Sequence, residues 1–429
     1  MITVMKLKAF SSYKTAIDFL MYGLSKSGGN VFRGEAGLAK SKRFFAVAGN
    51  PHSNLRAIHI AGTSGKGTVA YMIEAILRAH GFSTGLGLSP HVYDIRERAQ
   101  INGRLVSKSA FLIGINQILP AIIDRFLAGE GPTYFQVTTL LSFEIMKKQK
   151  VDYAIIETGL GGLYDSSNVI ERADKLCVIT RIGKDHTQIL GRSYKAIAGQ
   201  KAGIIQSNNQ VVTLHQRADV NRVFRQQAKI KHASLHWVFN DETMQVSNPR
   251  LQAPFQTENI ALAMKTVRLL SERDNWQLSI KKSLKALNEL NIPGRFDIVQ
   301  QNSRTVVFDG AHNAQKVTAL VSQFKQLYPN EKATIILALK KDKNVTDILV
   351  AIKPIAREIF ATRFLSSQDM SSLSHDPKQI ANKSESLGIK SKHFYSAQDA
   401  VDYASTIEGI FLVTGSNYLL GEVHQLLGL

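Results

Sequence analysis

The segment Arg56-Ala-Ile-His-Ile-Ala-Gly-Thr-Ser-Gly-Lys-Gly-Thr68 constrains this chain more than any other stretch. A short apolar run enters a glycine-rich turn. Lys66 follows, then a hydroxyl residue, then Val69, Met72, Ile73, Ile76 and Leu77 on one face of a helix. Each part answers a demand of phosphate binding. Glycines let backbone N–H groups close around phosphate oxygens. A helix N-terminus adds partial positive charge. Lys66 supplies a full charge to the outer phosphates, and Thr68 can ligate Mg²⁺. The usual spacing puts the hydroxyl directly after the lysine, whereas here Gly67 intervenes. A glycine-rich turn with a surface lysine is the plainer alternative. Strand, loop, lysine and helix all agree, so we read a nucleotide-binding loop. The helix is expected to end near His80, where Gly81 can adopt the left-handed conformation.

Around this loop, short apolar runs alternate with helical stretches, the pattern of an α/β protein with a mainly parallel sheet. The expected strands are Ala57–Ala61, Val151–Glu157, Leu176–Thr180, Val211–Leu214, Thr305–Phe308, Ala333–Leu339, Glu358–Thr362 and Ile410–Thr414. Pro293-Gly294 is a strong breaker, followed by a new strand-helix-strand series. The expected organisation is a P-loop-type, mainly parallel sheet domain over residues 1–293, then a smaller Rossmann-like α/β domain over residues 294–429.

The 429 residues are 44% hydrophobic and 20% charged, an ordinary globular composition. No run of 18 or more apolar residues is seen, since Asn116, Gln117 and Pro120 interrupt the most apolar region, so no membrane span is expected. The N-terminus lacks the apolar core and small-residue cleavage site of a signal peptide. The single Cys177 excludes an internal disulfide, fits a reducing cytoplasm and reads as a buried strand residue. The net charge of +19 admits an anionic substrate, nucleic acid or a basic background. Lysines and arginines fall in short scattered groups without interleaved aromatics. A diffuse field attracting phosphates and carboxylates is therefore favoured over nucleic-acid binding.

Ligands of open α/β sheets sit beyond the C-terminal strand ends. Three polar clusters are expected there. Glu157 ends a strand before Thr-Gly-Leu-Gly-Gly162, where a carboxylate can hold Mg²⁺ against ATP phosphates. Asp185-His186 follows the next strand, and Asp309 and His312 repeat the theme near the C-terminus. By periodicity alone, each could equally be a solvated strand-end acid or a structural histidine.

Taken in order, the motifs resemble the folylpolyglutamate synthase and dihydrofolate synthase branch of the Mur ligase superfamily. They are Ala61-Gly-Thr-Ser-Gly-Lys-Gly-Thr68, Ser89-Pro-His91, Glu97-Arg98, Thr133-Tyr-Phe135, Glu157-Thr-Gly-Leu-Gly-Gly162, Asp165, Asn168, Asp185-His-Thr187 and Lys201-Ala-Gly203. Pro293-Gly-Arg-Phe296, Phe308-Asp-Gly-Ala-His-Asn313, Asp342-Lys343, Gly415-Ser416 and Gly421-Glu422 complete the set. The resemblance implies that Gly62, Thr63, Gly65, Lys66, Gly67 and Thr68 hold ATP, with Asn259, Arg295 and Asp309 as further nucleotide contacts. It implies that Thr68, Ser89, Glu157 and His186 serve Mg²⁺, that Lys201 is carbamylated and supports a second Mg²⁺, and that His312 lies near glutamate or phosphate. Lys66, Lys201, Asp309 and His312 are then the catalytic set. Phe135, Gln136 and Asp165 belong to the pterin side.

The implied activity is an ATP-dependent acid–amino-acid ligase joining L-glutamate to a folate or to dihydropteroate. The expected protein is a cytoplasmic monomer that does not engage membrane. Closure about Pro293-Gly294 is expected to bring Arg295 and Asp309 over ATP. Ser64, Leu88, Gln136, Leu163-Tyr164 and Ala314 depart from the family's usual residues, mostly on the presumed pterin side. From Gln136 and Leu163 we expect weaker turnover of dihydropteroate than of reduced folates. Two other readings are a Mur-type ligase acting on a non-folate carboxylate and a nucleotide-binding protein without catalysis.

Overall fold

Strand order explains why the phosphate loop lies where it does. The computed structural model describes residues 8–24, 34–239, 246–301, 304–364 and 373–429. Its first sheet uses β1 (Ala57–Ala61), β2 (Thr84–Gly87), β3 (Gln100–Ile101), β4 (Arg104–Leu105), β5 (Tyr153–Glu157), β6 (Leu176–Ile179), β7 (Gln210–Leu214) and β8 (Ser234–Val238). They run in the order β4-β3-β2-β5-β1-β6-β7-β8. β1 lies between β5 and β6, parallel to both, and is buried along its whole length. The loop that leaves β1 therefore emerges beside the C-terminal ends of both neighbours. β3 is the antiparallel strand of this sheet, paired so with both β2 and β4 near one edge.

Helix Lys66–Ala79 follows β1 directly, with Val69, Met72, Ile73, Ile76 and Leu77 buried as their spacing requires. It ends at His80, and Gly81 takes φ +92°. Behind it, Tyr153 Oη donates to Asp274 at 2.6 Å, and Trp276 Nε1 donates to Tyr153 Oη at 3.2 Å. His80 Nδ1 lies 2.8 Å from Ile76 O, while its Nε2 accepts from Ser279 N at 2.9 Å. The expected strand residue Cys177 is fully buried.

Helix Lys108–Leu127 departs from expectation. It continues through Asn116, Gln117 and Pro120, and its 18-residue window reaches a mean hydropathy of 1.4, long and apolar enough to cross a membrane. Phe111, Ile115, Ile118, Leu119 and Ile122 are buried against protein, while Ile113 and Leu127 are exposed. The polar interruption has a structural use. Asn116 Oδ1 accepts from Phe10 N at 2.7 Å, and Asn116 Nδ2 donates to Phe10 O at 3.1 Å.

The second sheet uses β9 (Asp297–Gln301), β10 (Arg304–Asp309), β11 (Ala333–Leu337), β12 (Ala356–Ala361), β13 (Ser391–His393) and β14 (Ile410–Thr414). Its order is β13-β12-β11-β14-β10-β9, with only β9 antiparallel. Alternate residues feed two cores. Val307, Ile335, Leu337, Ile359 and Leu412 join one, and Val306, Phe308, Ile336, Phe360 and Phe411 join the other. Burial on both faces is what a mainly parallel sheet demands.

The chain divides into two compact units. One holds Met1–Pro90, Arg96–Val246 and Gln256–Leu290; the other holds His91–Ile95, Ser247–Phe255 and Asn291–Leu429.

Candidate active site

The phosphate loop is shaped by close approach. Gly65 has φ +89°, and a Cβ there would strike Asn259 Oδ1. Asn259 is itself held by its Nδ2 donating to Gln256 Oε1 at 2.8 Å. A Cβ on Gly62 would overlap the Thr180 hydroxyl, which donates to Ser64 O at 2.7 Å. Thr63 N and Ser64 N donate to Arg181 O at 3.0 and 3.3 Å. The turn is thus tied to the strand end of β6. No side chain caps helix Lys66–Ala79, so its first N–H groups face the loop's concave side with the helix dipole behind them. Thr68 lies buried in that first turn.

Lys66 Nζ lies 3.6 Å from Glu157 Oε1. Glu157 Oε2 accepts from Ser89 N at 3.2 Å. These three predicted residues therefore meet. They also separate two cavities. Lys66 lines one of about 280 Å³, open to solvent, together with Gly62, Thr63, Gly159, Gly161, Asp185, His186 and Lys201. Glu157 and Ser89 line another of about 300 Å³, with Phe135, Arg98, Thr138, Thr139, Phe143 and Ser167.

Lys201 is only 4% exposed, at the end of helix Tyr194–Ala202. Burial pushes its ammonium down to about 7, with Lys66 adding to the effect and Asp185 and Asp165 opposing it. His186 adopts a left-handed backbone, φ +49°, that few non-glycine residues take. Its Nε2 lies 4.0 Å from Asp185 Oδ2.

The pterin-side residues separate. Phe135 lines the second cavity and packs over Gly159, where any Cβ would collide with its ring. Gln136 does not face that cavity. Its side chain accepts from Thr133 N at 2.9 Å and donates to Ser41 Oγ at 2.9 Å, completing a helix cap. Asp165 is likewise a brace: Oδ2 accepts from Leu160 N at 2.8 Å, and Oδ1 accepts from Ser167 N at 2.9 Å. Burial pushes its carboxyl up, and these bonds oppose the shift. Leu163 packs against Gly203, away from the same cavity. Neither Gln136 nor Leu163 lines this cavity.

In the second unit, Asp309 Oδ2 accepts from Phe296 N at 2.9 Å and Oδ1 from Ala311 N at 2.9 Å. Burial pushes this carboxyl up, while Arg295 and those two bonds pull it down. Arg295 Nη1 donates to Gly294 O at 3.0 Å. Gly310 leaves the space that brings Arg295 and Asn417 together. His312 Nδ1 lies 2.7 Å from Gly310 O. Sequence reasoning quoted Arg98 only as part of a motif and gave it no role, and it missed Ser167 and the Thr138–Thr139 pair as cavity lining, since nothing in their spacing marks them. It also missed Lys316, which stands 3.0 Å from His312 Nε2.

Residues 60–299 match the Mur ligase middle domain, and residues 294–417 match the Mur ligase, glutamate ligase domain. The dihydrofolate synthase/folylpolyglutamate synthase of Bacillus subtilis (strain 168) is 30% identical, over 97% of this chain and 99% of that protein. This chain belongs to the folylpolyglutamate synthase and dihydrofolate synthase family of the Mur ligase superfamily. A probable dihydrofolate synthetase of Schizosaccharomyces pombe is 29% identical over 92% of the chain and 99% of its own length. The Mycobacterium tuberculosis folylpolyglutamate synthase complexed with ADP superposes with a TM-score of 0.84 at 25% identity, over 97% of this chain and 98% of that one. The Thermotoga maritima folylpolyglutamate synthase gives 0.81 at 25% identity, over 97% and 96%. Both strand-rich units of the Mur-ligase chain are thus accounted for.

Proposed function

We propose that this chain joins L-glutamate to the carboxylate of a folate, with ATP, through an acyl phosphate. The observation that carries this reading is the Lys66–Glu157 pair, 3.6 Å apart, with each residue lining a different cavity. One cavity offers glycine backbone, a helix start and Lys66, the chemistry of a triphosphate. The other offers an aromatic face at Phe135 and Phe143 beside hydroxyls and Arg98, the chemistry of a flat polar ring. A carboxylate that ends at their meeting point can reach the outer phosphate.

A carboxylate is a poor acyl donor because an oxide is a poor leaving group. Its oxygen attacks the γ-phosphorus, the bond to ADP breaks, and a mixed anhydride results. The glutamate amine then attacks the carbonyl carbon, loses a proton, and expels inorganic phosphate. Lys66 and the first N–H groups of helix Lys66–Ala79 stabilise charge on the transferring phosphoryl group. Asn259 keeps the loop in the shape that presents them. Asp309 holds the turn at Phe296, next to Arg295.

Magnesium belongs to the same proposal. Among the described residues no group of three or more His, Cys, Asp or Glu gathers. Thr68, Ser89, Glu157 and His186 would each offer at most a single ligand, the kind of sparse donor set that suits an ion keeping its waters and taking phosphate oxygens. When bound, Mg²⁺ neutralises phosphate charge. Lys201 as an ammonium cannot join that set, having no lone pair to offer. Its burial and depressed basicity suit the free amine that reacts with CO₂, and the resulting carbamate offers two oxygens. A cytoplasmic monomer is part of the proposal, and sedimentation together with cell fractionation tests it.

The test is a panel of carboxylate acceptors with ATP and glutamate, scored by phosphate release and product mass. Dihydropteroate and reduced folates should each be tried. Products one glutamyl unit heavier from at least one folate support the reading; phosphate release without any glutamylated folate overturns it.

A further inference from the structure

His312 stands between two partners of opposite kind. Its Nδ1 lies 2.7 Å from Gly310 O, and its Nε2 lies 3.0 Å from Lys316 Nζ. A carbonyl oxygen only accepts, so Nδ1 carries the proton. An ammonium only donates, so Nε2 supplies the lone pair. An imidazolium donating to a neutral amine would reverse the ordinary basicities of the two groups, about 6.5 and about 10.4. The two partners together therefore select one neutral tautomer and fix the plane of the ring.

The local sequence makes the arrangement possible. Asn313 is the N-cap of helix Ala314–Leu327, and its Oδ1 accepts from Lys316 N at 2.9 Å. Lys316 lies four residues beyond His312, on the side of the first turn that faces back toward it. Both side chains are half-buried.

We propose that Lys316 is a positioning residue: it locks His312 as the Nδ1–H tautomer and backs the ring with a full positive charge for the anionic amino-acid substrate. The proposal rests on the ligase reading above. Glutamate brings two carboxylates to this unit's chemistry, and ATP is served by Lys66 and the phosphate loop. Loss of Lys316 should therefore weaken glutamate binding and leave ATP binding intact.

The test joins a spectrum to kinetics on the full chain. Histidine is labelled with ¹⁵N, and His312→Gln assigns the signal. The parent should show a single neutral tautomer, with Nδ1 protonated and Nε2 a hydrogen-bonded acceptor. In Lys316→Met the Gly310 carbonyl should keep Nδ1 protonated, while Nε2 should lose the signature of a hydrogen-bonded, unprotonated acceptor. The KM for glutamate should rise about tenfold, the scale of one charge-assisted hydrogen bond, while the KM for ATP stays unchanged. Lys316→Arg should restore the Nε2 signature and most of the glutamate affinity. An unaltered His312 spectrum in Lys316→Met overturns the positioning role, as does a loss confined to ATP binding. A parent that ligates no folate overturns the ligase reading and the glutamate part with it, whereas the tautomer assignment is judged by the spectrum alone.

Discussion

Lys66 Nζ and Glu157 Oε1 lie 3.6 Å apart, and the two side chains face different cavities at the C-terminal ends of β1 and β5. Lys66 is the cation at this boundary that the phosphate loop itself supplies. In Lys66→Ala, kcat should fall by about 10²–10³, the usual loss for one donor to a developing oxyanion. The variant should also melt below the parent, since the pair is largely buried and Glu157 loses its nearby cation. Near-normal turnover in a folded variant would remove Lys66 from the mechanism.

Gly65 tests the loop's shape rather than its charge. At φ +89° a side chain is strained, and its Cβ would press on Asn259. Gly65→Ala should lose about 1–3 kcal/mol of stability in denaturant titrations. ATP affinity should fall with it, because the first N–H groups of the helix move. Unchanged stability and affinity would mean that the loop tolerates a different path.

Lys201→Ala should be nearly inactive, and a short carboxylate such as acetate should restore part of the activity by taking the place of the proposed carbamate. Parent protein equilibrated with ¹³C-bicarbonate should show a carbamate carbon that the variant lacks. An active Lys201→Ala enzyme without that signal in the parent would dismiss the modification.

His52 provides the acid limb of stability. It is buried against Phe45 and Phe143, with ring centroids 5.9 and 5.6 Å away. Burial pushes its imidazole from 6.5 down to about 4, opposed by Glu171 and by the ring's hydrogen bond to the Val169 backbone. The folded state then holds fewer protons than the unfolded state between those values. Its share of stability is complete above about 6.5 and is lost as pH falls toward about 4. Thermal melts across that window should fall less steeply for His52→Phe than for the parent. Equal slopes would exclude His52 as a source of acid sensitivity.

Strong local signals made the fold legible. The run from Ala57 to Leu77 carries strand, turn and helix in its own residues, and the strands rich in Val, Ile and Phe follow suit. β2 was hidden because Thr84-Gly-Leu-Gly87 has poor strand propensity. Its glycines are explained only by Met146 and Ser142, which press on Gly85 and Gly87 from a distant helix. β8 and β9 escaped notice as short, half-exposed edge strands. Motif order singled out Lys66, Glu157 and Lys201, which line the two cavities. It could not separate cavity-facing Phe135 from its neighbour Gln136, since one residue along a helix turns a side chain by about 100°. Nor could it find His312's partner, because a lysine four residues on is unremarkable until the histidine's other nitrogen is seen to be taken.

The acyl phosphate is the central claim, and oxygen transfer tests it most directly. A folate whose acceptor carboxylate carries ¹⁸O is incubated with the enzyme, ATP, Mg²⁺ and glutamate, and the inorganic phosphate is analysed by mass. Attack of the carboxylate on the γ-phosphorus followed by expulsion of phosphate predicts one ¹⁸O atom in each phosphate released per glutamyl product. Unlabelled phosphate, or label recovered in AMP, would contradict the account.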